Sequence, residues 1–345
     1  GRNAETEWSE NLDGFSTFKS HAPPANKDAV SMMWHWLDVP ILLSLIGICS
    51  AMVSLATKMV MNYDHTFKQY LLSLVSVEYE WPLYCLYSVC MALIACFLSQ
   101  LICKESVGSG LADMKTILGG VVKPVLLSRR LIVAKALGLW LSLMAGLSVG
   151  KEGPFVHISG AVADQLMKLA PFVHIRRQDS KRLEILACAC ASGVSATFGN
   201  AFGGVLFSIE FTSSAYMVRS LPKAFLTSVV AMIAFLFFGV SDELSLFKGE
   251  NVSSFTLPQT NELAVFFLIG VGGGLLGIFF VFLVELITTA RNNFLDKRKH
   301  SKNMVAFRRY ALVGMVTLLV SSAMYAEMSH IQHSGQGSFV MLKYL

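Results

Sequence analysis

The chain has 345 residues, of which 54% are apolar and 15% charged, with a formal net charge of +5. A soluble domain carries roughly 25% charge, so this composition excludes a polar disordered chain and argues against a soluble enzyme. The small, dispersed net charge also gives no basic face for nucleic acid.

Residues 1–33 read as a cytoplasmic N-terminal tail. No Asp, Glu, Lys or Arg occurs in 39–57, 81–103, 185–209, 224–241 or 263–284. Spanning a hydrocarbon core near 30 Å takes about 20 predominantly apolar residues. These runs therefore predict an all-α polytopic membrane protein embedded in a lipid bilayer. Weaker runs lie at 131–149, broken by Lys135, at 154–170, broken by Asp164 and Lys168, and at 311–326.

The runs differ in kind. Segment 81–103 is a plain spanning helix. Segment 185–209 is rich in Gly, Ala, Ser and Asn. Small residues let helices approach closely in lipid, and a Gly-rich centre also marks a broken helix. The run from Gly270 to Gly277, GVGGGLLG, reads as close packing. The seven cysteines sit almost wholly in apolar runs and read as small buried hydrophobes. Loop 285–310 is basic and loop 242–262 acidic. The positive-inside rule puts the first in the cytoplasm and the second outside. Asn251 there begins a candidate glycosylation sequon. Segments 39–57 and 81–103 then form a hairpin with its turn outside.

No catalytic constellation is visible. His157 and His174 are too far apart for a one-face metal pair, and no nucleophile elbow occurs. An intramembrane enzyme would have to use Ser109, Glu152 and His157. The reading is instead of a non-enzyme with no metal and no cofactor.

Charge at membrane depth is costly and marks function. Glu152 interrupts the apolar pattern in GKEGPF, and Glu210 ends the run GGVLFSIE. Glu210 reads as solvated or as a structural hydrogen-bonding group. After Glu152, Gly153-Pro154 signals a helix start, because proline suits a first turn. Free N–H groups, those of Phe155 and Val156 among them, would point back toward Glu152. Bare N–H groups at a helix start attract anions. The carboxylate can occupy that site or leave it to a mobile anion, which is a gate by competition. Gly108-Ser109-Gly110 is a second helix start. Ser109 reads as its N-cap and as a hydroxyl donor to an anion.

GSGLADMKTIL, GKEGPFVH and GNAFGGVLFSIE together resemble the three signature segments of the CLC chloride channels and anion/proton exchangers, in order and spacing. The resemblance covers residues 34 to about 330. It implies a CLC-type inverted-repeat fold with broken and re-entrant helices. The first repeat would be 34–216 and the second 217–345, the latter incomplete. It implies chloride as the transported ligand and a homodimer with one pore per subunit, joined through small-residue helices in 185–216. Glu152 matches the gating glutamate and Ser109 the serine on the central anion. Gly110, Gly153, Phe155 and Val156 match anion-binding backbone. Lys151 would raise the local positive potential. Phe211 stands where exchangers carry a proton-path glutamate, and a phenyl ring carries no proton. The resemblance thus favours a voltage-gated-type chloride channel over its alternative, a chloride/proton exchanger. Ala112 and Asp113 replace the family's usual Pro and Glu. The segment HSGQGSFVMLKYL offers no second-half pore motif, so the chain reads as a fragment of a longer pore.

Overall fold

A computed structural model describes residues 29–121, 123–211, 220–238, 260–294 and 302–333. The chain divides into a unit 1–40 and a unit 41–345. Within the first, the described residues 29–40 are helical. The account below concerns the second.

The described residues form α1 (Ala29–Ser73), α2 (Val77–Ile102), α3 (Leu111–Leu118), α4 (Arg129–Met144), α5 (Glu152–Leu166) and α6 (Val173–Arg176). They continue with α7 (Asp179–Phe198), α8 (Ala201–Phe211), α9 (Leu221–Phe238), α10 (Thr260–Phe294) and α11 (Lys302–His333). Short 3-10 turns at Lys104–Ser106 and Pro124–Leu127 lead into α3 and α4. Among these residues there is no strand. Five segments are long and apolar enough to cross a membrane: Leu37–Ser73, Glu78–Ile102, Leu221–Phe238, Val265–Phe294 and Met304–Ala326. The remaining apolar runs became shorter helices.

The run 185–209 is two helices, not one span. Gly199, at φ 66°, takes the left-handed backbone that ends α7, and its N–H reaches the Ser195 carbonyl at 2.8 Å. The Asn200 side chain then accepts the Gly203 N–H at 3.2 Å and caps α8. The break follows from two residues whose chemistry stops one helix and starts the next.

Helix α7 is the centre of the core and packs on α5, α8 and α9. Every residue from Ile185 to Thr197 is buried. Four buried hydroxyls tie the layers together. Ser50 Oγ donates to Ser159 Oγ at 3.0 Å and lies 3.0 Å from Ser192 Oγ, joining α1, α5 and α7. Ser54 Oγ donates to the Ala196 carbonyl at 2.8 Å. The far end of α5 is fixed by the buried Asp164. It accepts from Arg182 of α7 at 3.0 Å and pairs with Lys168 at 3.1 Å. Helix α9 falls in the segment 217–345 expected to open the second repeat, yet it packs on α7 and α8. Helix α11 packs on α2, where Tyr325 donates to Glu80 at 3.1 Å and its ring lies 6.0 Å from that of Tyr84.

The GVGGGLLG run lies on α10 and, among the described residues, does not make the close packing expected of it. Gly270, Gly272, Gly273, Gly274 and Gly277 have no neighbour within 4 Å of a built Cβ. Small residues draw helices together only where a partner lies opposite, and the described residues place none there. Of the cysteines, Cys85, Cys188 and Cys190 are buried, as expected of small hydrophobes, but Cys90 is exposed.

Candidate functional site

The site is built where α3 and α5 begin. Gly108 and Gly110 have φ of 91° and 78°, a left-handed backbone that side chains rarely tolerate. The N-cap of α3 is Gly110 rather than Ser109. Ser109 still serves the helix, because its exposed hydroxyl oxygen accepts the Leu111 N–H at 3.3 Å. Its own hydrogen stays available to an acceptor.

Helix α5 starts earlier than the proline suggested. Its first residue is Glu152 and its N-cap is Lys151. Pro154 therefore sits third, within the first turn, and has no N–H to lose. The N–H of Phe155 is already spent on the Lys151 carbonyl at 3.1 Å, and Phe155 and Val156 are both buried. The N–H groups at the opening of the helix are those of Glu152 and Gly153, which precede the first intrahelical bond. The N–H of Phe155 is therefore not free, contrary to the expectation.

The two helix starts touch. A Cβ on Gly153 would lie 2.7 Å from Ser109 Cβ and 3.4 Å from the Ser109 carbonyl oxygen. Only glycine fits so close an approach. The Glu152 carboxylate folds back over its own helix start, since a Cβ on Gly150 would meet Glu152 Oε2 at 2.6 Å. The half-buried Lys151 stands at the same opening. Thus the Ser109 turn lies against the opening of α5, whose partial positive charge favours an anion, and the Glu152 carboxylate lies nearby over Gly150.

Other sequence-selected residues lie apart. Glu210 is exposed near the end of α8, whose last residue is Phe211. Asn251 lies outside the described residues. Beside the α3 start is an open cavity of about 600 Å³, lined among others by Glu105, Asp113 and Lys123. Hydrogen bonding from its own backbone N–H is the main cause that holds the exposed Glu105 carboxyl below its ordinary range.

Residues 90–345 match the model of a family described as voltage gated chloride channel. The chain belongs to the voltage gated chloride channel family. It is 33% identical over 296 residues to the chloride channel protein of Torpedo marmorata, covering 82% of this chain and 36% of that protein. It is 35% identical over 253 residues to chloride channel protein 2 of Homo sapiens, covering 72% of this chain and 28% of that protein. The chain therefore spans about a third of the length of these relatives. A crystal structure of a eukaryotic CLC transporter superimposes with a TM-score of 0.73 at 28% identity, covering 87% of this chain and 52% of that one. A cyanobacterial Cl−/H+ antiporter shares the fold, with a TM-score of 0.63 at 17% identity over 82% of this chain and 64% of that one. This voltage gated chloride channel family member is accordingly an integral, multi-pass membrane protein with the all-α CLC fold. Its family consists of ion channels and transporters, not enzymes.

Sequence reasoning missed what supports the Ser109 turn in this family member. Lys135 registered only as a break in an apolar run, and His157 only as a metal or catalytic candidate. In the fold Lys135 Nζ donates to the Gly108 carbonyl at 3.2 Å. Both side chains fill the space that a Cβ on Gly110 would occupy. The signal available was a lysine inside an apolar helix, which must find a partner.

Proposed function

We propose that this chain contributes an anion pathway and that the protein works as a chloride channel, gated by the Glu152 carboxylate. The observation that carries this reading is the contact of Gly153 with Ser109, beside which Glu152 turns back over Gly150. An anion at this point would meet a hydroxyl hydrogen and the N–H groups of a helix start. Glu152 offers a tethered anion for the same donors. When it leaves, chloride enters; when it returns, the path closes. Lys151 would add positive potential at the opening.

Passive conduction is favoured over exchange by Phe211, which offers no titratable group at the end of α8. A homodimer would not meet through α7, whose small residues are consumed inside the protomer. Apolar faces open to a second copy include those of α8 and α9, with Phe202, Leu206 and Ile233 all more than half exposed.

The test is Glu152→Gln in patches from cells expressing the protein. A carboxylate at a partly buried helix start contributes up to about 2 kcal/mol, which corresponds to a roughly 30-fold bias between closed and open states. The variant is expected to lose voltage-dependent relaxations and conduct steadily. Unchanged gating would remove Glu152 from its role. A reversal potential that follows a pH gradient would replace the channel by a proton-coupled exchanger.

A further inference from the structure

Lys135 is 3% exposed and makes no ion pair among the described residues. Asp113 acts on it through space without pairing. A buried ammonium without a counter-ion is expensive, so its neighbours must supply lone pairs. One is the Gly108 carbonyl, at 3.2 Å. Close to the ammonium, though not hydrogen-bonded to it, is an imidazole. His157 is fully buried, and its Nε2 lies 2.8 Å from the Leu126 carbonyl. A carbonyl only accepts, so Nε2 carries the hydrogen and Nδ1 of the neutral ring bears a lone pair. That Nδ1 is buried and has no hydrogen-bond partner. It converges with Lys135 Nζ on the place where Gly110 lacks a side chain.

We propose that Lys135 and His157 form a positioning pair behind the Ser109 turn. This deepens the anion-pathway reading and rests on it. The ammonium holds the Gly108 carbonyl, and so fixes the turn that aims the Ser109 hydroxyl. The neutral imidazole, anchored on Leu126, places its Nδ1 lone pair near the ammonium and, adding no second positive charge, lets that charge stay buried without an ion pair. The positive charge, which no carboxylate pairs with directly and which lies one residue from Ser109 through the Gly108 carbonyl, raises anion occupancy of the turn. Gly110 is glycine because the two side chains need its space.

Chloride currents of Lys135→Met, Lys135→Arg, His157→Asn and His157→Gln test this, with surface expression measured in parallel. Losing the cation is expected to raise the half-saturating chloride concentration about tenfold or more. Lys135→Arg keeps charge and donors and is expected to recover most of that loss. Asn can present an acceptor near the place of Nδ1, whereas Gln presents its amide near Nε2. His157→Asn is therefore expected to stay closer to wild-type chloride dependence than His157→Gln. A merely structural role would lower expression of all four and leave the chloride dependence of the surviving current unchanged; that result overturns the proposal. Equal chloride dependence in Lys135→Met and wild type overturns it as well. Absence of anion current from the wild-type protein would instead sink the anion-pathway reading.

Discussion

Two sets of helical glycines in this protein have opposite fates. In the core, Gly193 of α7 and Gly47 of α1 stand where a Cβ would strike backbone. The built Cβ of Gly193 lies 2.8 Å from Ser159 Oγ and 3.0 Å from the Phe155 carbonyl; that of Gly47 lies 2.7 Å from the Thr227 carbonyl. On α10, five glycines between 270 and 277 meet nothing within 4 Å among the described residues. The residue is the same and the packing is not. A glycine is a statement about a partner, and a single chain segment does not name its partner.

The sharpest case in the packed region is Gly110→Ala. A left-handed backbone costs roughly 1–3 kcal/mol for a residue with a side chain. The added methyl must also displace His157 and Lys135, and overpacking adds about 1–3 kcal/mol. Thermal unfolding in detergent, followed by tryptophan fluorescence, is expected to show the largest loss of this series. Stability equal to wild type would mean that the two side chains do not occupy that space.

Gly193→Ala comes next. Its helical backbone carries no strain, so only the overpacking remains, about 1–3 kcal/mol. The loss is expected to fall on the α5–α7 contact and hence on the Glu152 helix. A stability change without any change in gating would separate this packing from the site.

How much of this was readable beforehand depends on range. The starts of α3 and α5 were visible because Ser-Gly and Gly-Pro act within one turn. The break at Gly199-Asn200 was half visible, as small residues spoke equally for packing and for interruption. The contact of Gly153 with Ser109 was not visible, since the two lie 44 positions apart in sequence. Their approach is made by α3 packing on α5, which no local pattern records. The Phe155 N–H was expected to be free, and is not, for a smaller reason. The helix begins at Glu152, ahead of its proline, so the first intrahelical bond had already taken the Phe155 N–H. Lys135 and His157 were each noticed as oddities, but only the fold puts them on one glycine.

The smallest expected effect belongs to Gly273→Ala, and it tests the comparison most directly. Nothing among the described residues lies within 4 Å of the methyl it adds. In an exposed helix interior, Ala is favoured over Gly by about 1 kcal/mol, and lipid around α10 would accept a methyl freely. The variant is therefore expected to unfold at or slightly above the wild-type temperature, with unchanged chloride currents. A loss as large as that of Gly193→Ala would carry a different message. It would mean that another helix lies against this stripe, so that the α10 glycines do what the core glycines do. The two sets would then differ only in where their partner comes from.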